Sequence, residues 1–318
     1  MTGTERPGDR RDAPTAAEAA LAVWQMARPS QLLLIVAVYA LGVAIAVGSG
    51  TTLDPRAVLV GLLALLPVAA SVHFANEFAD YETDRLTSER GSRTPFSGGS
   101  GAADTVPRSV AWTATLTAGV VGALLSLGLV LVGWLSPGAF LFLAAIALLG
   151  WAYSLPPVAL SRRGLGEVDN ALLGGLLLPH YGATVLAPPS LVVCLAVVPF
   201  TLLVFANLLA TQWPDREVDA ATGKFTLPTR WPPRRLRGVH LAAVVAAFAS
   251  LAALTGPVLP PVVTAASLAA VPFAVWGVAT FTRDERPFPT VAAMVVMAVA
   301  QLLAWAFVAD LLPALGLD

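Results

Sequence analysis

The 318-residue sequence predicts an all-α integral membrane bundle of about nine transmembrane helices around a central cavity. Three observations carry that expectation. Hydrophobic residues make up 57% of the chain and charged residues 12%, with a mean hydropathy of +0.75, whereas an ordinary soluble domain carries about 25% charged residues. Apolar runs recur at close to the ~20 residues that a helix needs to cross a bilayer. Basic residues are concentrated in alternate connections between those runs.

Residues 1–20 are polar, rich in Pro, Gly, Arg and Asp, and read as a disordered cytoplasmic N-terminus. They lack the apolar core of a cleaved signal peptide. Residues 21–28 read as an interfacial lead-in with Trp24 at headgroup level. From residue 21 to 318 the chain reads as one transmembrane domain. Its spans are expected at 31–48, 57–75, 109–133, 137–153, 168–186, 191–211, 239–255, 261–281 and 289–312. They are rich in Gly, Ala and Ser, which let helix backbones approach closely in lipid. Cys194 lies alone in an apolar run, which excludes an intrachain disulfide.

Eighteen of the nineteen basic residues fall before the first span or in every second connection after it, and the opposite side holds only Arg56. The positive-inside rule then places the N-terminus in the cytoplasm, and an odd span number puts the C-terminus outside the cell membrane. No basic face or recognition motif suggests nucleic acid.

The second run ends in Asn76-Glu77-Phe78-Ala79-Asp80-Tyr81-Glu82-Thr83-Asp84. A charge at bilayer depth costs on the order of 2.5–3.5 kcal/mol, so such a cluster marks function. On a continuing helix Asp80 and Asp84 share a face, about 6 Å apart along the axis. The pattern returns 135 residues later in Trp213-Pro214-Asp215-Arg216-Glu217-Val218-Asp219, again closing an apolar run. Four spans separate the motifs, so their helices run in the same direction and can face one cavity. This is a four-helix pseudo-repeat.

Carboxylate pairs without a cysteine or histidine cluster describe a hard-cation site. Mg²⁺ takes oxygen ligands, keeps several waters, and is held by one or two carboxylates plus substrate phosphates. Two such pairs suit a diphosphate clamped by Mg²⁺. Arg90 and Arg93, the glycine-rich Ser97–Gly101 segment and Lys224, the only lysine, are candidate phosphate partners. Phe78, Trp151 and Tyr153 offer aromatic faces to a carbocation, although each also fits a packing or anchoring role.

The first motif resembles the N-(D/E)-x-x-D-x-x-x-D signature of the UbiA superfamily of intramembrane prenyltransferases. Asp215-x-x-x-Asp219 followed by Gly223-Lys224 resembles that family's second motif. Tyr153-Ser154-Leu155-Pro156-Pro157 with Arg162-Arg163-Gly164-Leu165-Gly166-Glu167 is similar to a segment often found between them. The resemblance implies Mg²⁺-dependent transfer of a prenyl group from a polyprenyl diphosphate. Asp80, Asp84, Asp215 and Asp219 would hold metal. Asn76, Arg28, Arg90, Arg93 and Lys224 would bind diphosphate, and Tyr153 and Ser154 would lie near the reacting carbon. The acceptor it implies is a small aromatic quinone precursor such as dihydroxynaphthoate, or else a lipid. Where members often carry a polar residue four before the second motif, this chain has Thr211, with Gln212 beside it. A cation-coupled secondary transporter with carboxylates at a repeat interface is the competing class; its site would lie near the midplane rather than at span ends.

The arginine alternation is tested by cysteine accessibility with Cys194 replaced by serine. A cysteine at Gly223 should label from the cytoplasmic side and one at Gly316 from outside; labelling of both from one side would exclude an odd span number.

Overall fold

The structure, a computed structural model, describes residues 15–89 and 99–311. Helix α1 (Ala16–Met26) leads into α2 (Pro29–Gly48), α3 (Pro55–Ala79), the short α4 (Tyr81–Glu89), α5 (Arg108–Leu131) and α6 (Pro137–Ser154). The next apolar stretch is divided among α7 (Gly166–Asn170), a π-helical segment (Ala171–Leu177) and α8 (Leu178–Thr184). Helices α9 (Leu191–Ala196) and α10 (Val198–Gln212) follow, then the short α11 (Arg216–Ala221) and α12 (Leu227–Arg230). The chain continues through α13 (Pro233–Leu254), α14 (Pro261–Ser267), α15 (Val271–Thr280) and α16 (Phe288–Val308). The described residues form no β-strand.

Among the described residues, seven helical stretches are long and apolar enough to cross a membrane: α2, α3, α5, α6, α13, α14–α15 taken together, and α16. This corrects the expectation of nine continuous spans. The run at 168–186 instead passes from α to π and back within one helical stretch that ends at Thr184, and the run at 191–211 turns at Val197. Pro179 stands in the first turn of α8 and Pro199 in that of α10; proline lacks the N–H that would continue the preceding helix. The π-segment puts Gly175 against α10, where an added Cβ would lie 2.6 Å from the Thr201 Cα.

Caps define several starts. The Asp54 carboxylate accepts from the Arg56 and Ala57 amides, and Ser136 Oγ accepts from Ala139 N, in each case just before a proline at the first helical position. Thr15 and Glu18 form a reciprocal capping box. Helix α1 therefore begins inside the stretch expected to be disordered to residue 20.

The core is built on close backbone approach. A Cβ on Gly42 would strike the Pro179 carbonyl, and one on Gly182 the Tyr39 carbonyl. So α2 and α8 pack backbone to backbone, as small residues permit in lipid. Tyr39 and Tyr181 pack together there, ring centroids 5.7 Å apart, and donate to Val58 O and Gly61 O of α3, each at 2.7 Å. Leu116, Val120, Leu124, Leu127 and Leu131 stay exposed along one side of α5, the apolar face expected against lipid.

Replacing Gly182 by valine should lower the thermal midpoint in detergent, on the scale of the ~1–3 kcal/mol or more of an overpacked core. Gly128 has nothing within 4 Å of an added Cβ, so Gly128→Ala should leave the midpoint unchanged or raise it. Equal behaviour of the two variants would remove the close-packing argument.

Candidate active site

The two acidic motifs have the same local shape. Helix α3 ends at Ala79, Asp80 caps it with φ −96° and ψ 8°, and α4 starts at Tyr81. Helix α10 ends at Gln212, and Asp215 introduces α11 with φ −85° and ψ −6°. Asp80 and Asp84 are thus not on one uninterrupted helix, as the spacing had suggested. The i,i+4 relation survives the bend, because Asp84 N donates to Asp80 O and Asp219 N to Asp215 O, both at 2.8 Å.

The bends bring the motifs face to face. Thr83 Oγ1 donates to Thr222 Oγ1 at 2.9 Å, joining α4 to the end of α11. Lys224 bridges the halves: its Nζ donates to Asp80 Oδ2 at 2.8 Å and lies 3.7 Å from Asp219 Oδ1. Asp80, Asp84 and Asp219 are all buried. Burial pushes the Asp84 carboxyl well above the usual carboxylate range, reinforced by Asp80 and Glu77. Burial raises Asp219 to about 7 against the opposing pull of Lys224. Burial disfavours the Lys224 ammonium, but Asp80 and Asp219 outweigh it and hold the group charged well above its ordinary range.

A cavity of about 920 Å³ opens from this cluster. At its charged end it is lined by Asn76, Asp80, Asp84, Asp215, Asp219 and Lys224, and at its apolar end by residues such as Leu65, Phe200, Met294 and Val299. Leu33 and Val299 line it while remaining 71% and 41% exposed, so it reaches the lipid-facing surface between α2 and α16. Such a gradient fits a molecule with a polyanionic head and a hydrocarbon tail.

Of the expected site residues, Asn76 donates to Asp80 Oδ2 at 3.1 Å and to Ser154 Oγ at 3.3 Å. Tyr153 lines the cavity and accepts from Gln212 Nε2 at 3.5 Å. Ser154 is buried and meets Asn76 rather than the cavity. Arg28 lines the cavity, but its Nε and Nη2 donate to Glu77 Oε1 at 2.9 and 2.6 Å. Arg90 and Arg93 lie outside the described residues. Among the aromatics, Phe78 packs instead on Trp112, beneath the Arg108 guanidinium, and Trp151 donates to Ser71 Oγ at 3.2 Å.

Glu77 belongs to the first motif, yet its role was not legible from spacing. It is 3% exposed and also accepts from Ser100 N at 3.1 Å and Ser100 Oγ at 2.7 Å. It thereby ties α2, α3 and the Gly99–Ser100 turn together. Gly99 has φ +68°, and a Cβ there would overlap the Asp84 carboxylate, so only glycine brings the backbone this close. Glu167 makes a comparable tie, accepting from Leu227 N at 2.6 Å. Asn207, Gln212 and Asn170 are cavity-lining amides that the motif reading left out of the site.

Metal fit follows from the donor set. Among the described residues no three His, Cys, Asp or Glu side chains stand close enough to hold an ion by themselves. Asp84 Oδ2 and both Asp219 carboxylate oxygens are nevertheless buried without a hydrogen-bond partner. Hard oxygen donors in pairs suit a cation that completes its shell with phosphate and water.

The described residues thus form an all-α bundle with membrane-length helices and two carboxylate bends over a cavity that grades from charged to apolar. The UbiA prenyltransferase family model matches residues 33–294, and the chain belongs to that family. No curated protein matches it significantly. A UbiA homologue from Archaeoglobus fulgidus bound to GPP and Mg²⁺ is 15% identical, with a TM-score of 0.66 over 91% of this chain and 99% of the other. A digeranylgeranylglyceryl phosphate synthase is 15% identical, with a TM-score of 0.64 over 92% and 99%. A UbiA homologue from Aeropyrum pernix K1, in its apo form, is 16% identical, with a TM-score of 0.63 over 86% and 97%. At these identities the likeness shows the fold.

The Glu77 tie generates a stability prediction. Glu77→Gln leaves Arg28 without its counter-charge, and removing one partner of a fully buried pair costs roughly 3–5 kcal/mol. Arg28 keeps 23% of its side-chain surface, so the loss should fall below that range while still lowering the thermal midpoint. An unchanged midpoint would show that the pair contributes nothing.

Proposed function

We propose that this protein transfers a prenyl group, in a Mg²⁺-dependent reaction, from a polyprenyl diphosphate to a small aromatic acceptor of the quinone-precursor type. It is then a transferase of alkyl groups other than methyl. The observation that carries the reading is the meeting of both carboxylate motifs at Lys224, over a cavity that grades from charged to apolar. The binding of GPP and Mg²⁺ by the Archaeoglobus homologue supports the choice of donor and metal.

In this reading Asp80, Asp84, Asp215 and Asp219 hold Mg²⁺, and the metal when bound neutralises the diphosphate and its leaving charge. Asn76 orients Asp80 through its amide. Lys224 exchanges a carboxylate partner for a phosphate oxygen, and Arg28, Arg90 and Arg93 add positive charge around the diphosphate. The C1–O bond of the donor breaks and pyrophosphate leaves. The Tyr153 ring faces the allylic cation, with Ser154 steadying Asn76 behind it. A ring carbon ortho to a hydroxyl bonds to C1 and loses its proton to solvent. The donor tail lies along the apolar wall and extends into lipid. The alternation of basic residues supports a site opening to the cytoplasm.

Asp80→Asn, Asp84→Asn, Asp215→Asn and Asp219→Asn keep shape and remove charge. Each should lower turnover by at least ~10²-fold, the scale of losing one strong electrostatic stabiliser. Near-normal activity in any two of them would reject the two-motif clamp. The acceptor is read by product mass when membranes receive geranylgeranyl diphosphate with dihydroxynaphthoate, 4-hydroxybenzoate, homogentisate or geranylgeranylglyceryl phosphate. Alkylation of the glycerol lipid alone would overturn the aromatic assignment and leave prenyl transfer standing. Ion-driven uptake with no product would favour a transporter instead.

A further inference from the structure

The two halves of the pseudo-repeat are not equivalent at the cavity. With the 135-residue offset, Asp80 and Asp84 correspond to Asp215 and Asp219, and Asn76 to Thr211. Thr211 satisfies its hydroxyl on its own helix, donating to Asn207 O at 3.1 Å and to Leu208 O at 3.3 Å. The amide of the second half sits one turn further into the cavity, at Asn207, where the first half has Val72. Asn207 lies eight residues before Asp215, inside α10, which ends at Gln212, whereas Asn76 precedes Asp80 by four and donates to it. Gln212 corresponds to Glu77. Where Glu77 binds an arginine, Gln212 is neutral and reaches Tyr153 OH.

Both amides line the cavity, at 9% and 8% exposure for Asn207 and Gln212. Asn207 Oδ1 and Gln212 Oε1 are buried with no hydrogen-bond partner. A buried acceptor left unsatisfied is costly, so two lining one cavity point to a ligand that completes them. Around Asn207 the wall is apolar, formed by Val204, Leu208, Phe200 and Leu173. Among the described residues, the cations that face the cavity, Arg28 and Lys224, are each paired to carboxylates. The two unpartnered amide oxygens need hydrogen-bond donors, which a carboxylate or phosphate lacks. A hydroxyl both donates and accepts, and satisfies an amide in either orientation.

We propose that Asn207 and Gln212 form the acceptor-recognition site, each binding one uncharged hydroxyl of an acceptor that carries two. This rests on the prenyl-transfer reading and narrows its acceptor to a dihydroxyarene. The first half of the repeat then supplies charge to the donor's head, and the second supplies neutral amides to the acceptor. An anionic substituent on the ring points away from the amides.

The test uses the full-length protein in membranes or detergent, with 1,4-dihydroxy-2-naphthoate, its mono- and dimethyl ethers, and geranylgeranyl diphosphate. Asn207→Leu and Gln212→Leu should each raise the KM for the dihydroxynaphthoate by about 10-fold, equivalent to ~1.4 kcal/mol. KM for geranylgeranyl diphosphate should stay unchanged, and Asn207→Ser should recover part of the loss. The thermal midpoint of Asn207→Leu without ligand should hold or rise, because leucine removes an unsatisfied polar group; a merely structural amide would lower it. Methylation of either hydroxyl should mimic the variants in the unsubstituted protein. A change in donor KM with acceptor KM unmoved, or equal use of the dimethyl ether, would overturn the assignment. Use of an acceptor with a single hydroxyl in preference to dihydroxynaphthoate would do the same. If the unsubstituted protein releases no pyrophosphate from any allylic diphosphate, the prenyl-transfer reading fails by itself. Stabilisation by dihydroxynaphthoate that Asn207→Leu abolishes would still support the site in that case, and its absence from the unsubstituted protein would sink both.

Discussion

The constraint on which the site depends is the burial of like charges from two distant segments around one lysine. Asp80, Asp84 and Asp219 repel one another in a poorly solvated space, and none could stay there as isolated anions. Lys224 answers this by reaching Asp80 across 144 residues of sequence while lying beside Asp219. The arrangement is still under-neutralised, which is what a site for cations requires. Because one ammonium must reach both motifs, α3 and α10 have to end at the same level. The Thr83–Thr222 hydrogen bond joins the segments that follow them, α4 and the end of α11.

The same requirement explains where the helices break. Bends at Asp80 and Asp215 turn the second carboxylate of each motif back over the cavity instead of letting the helix carry it outward. Within the apolar layer the helices are irregular again, widening to a π-segment before Pro179 and turning at Val197 before Pro199. Irregular backbone at that depth is tolerated where it is buried in protein or lines a cavity. Asn170, Leu173 and Gly174 line the cavity from this stretch. The result is a cavity with three levels: charged at the carboxylates, neutral and hydrogen-bonding at Tyr153, Gln212 and Asn207, and apolar beyond.

A repeat with asymmetric chemistry is a further consequence. Both copies keep the two-aspartate bend, and in both the aromatic before the first aspartate stacks beneath an arginine, Phe78 under Arg108 at 4.1 Å and Trp213 under Arg216 at 4.0 Å. The copies diverge at the positions that face inward one and two turns earlier. In the proposed reading, divergence there lets one scaffold treat two unlike groups, the donor's diphosphate and the acceptor's hydroxyls.

Much of this was legible in the sequence because it depends on short-range properties. Membrane residence follows from apolar runs of bilayer length. The two motifs follow from carboxylates placed where a span should be apolar, and their recurrence at one offset shows that they belong together. What the sequence left open depends on which side chains meet across the fold. The count of continuous spans was too high because the helix of the fifth run begins with Glu167, Asp169 and Asn170 and carries a π-segment, and the sixth run turns at Val197. Arg28 read as a phosphate partner, and the fold adds that its guanidinium is held by Glu77, which Ser100 also binds. Phe78 and Trp151 read as possible cation partners, and packing turns both away from the cavity. Asn207 carried no motif signal, since an amide two turns from a carboxylate means nothing until the cavity wall is known. By itself, then, the sequence determined the solvent in which this protein folds and the two carboxylate pairs it brings to its site. Only the tertiary structure decided which charges neutralise one another and which polar groups are left for a ligand, because partner choice is set by distances between helices that no local pattern encodes.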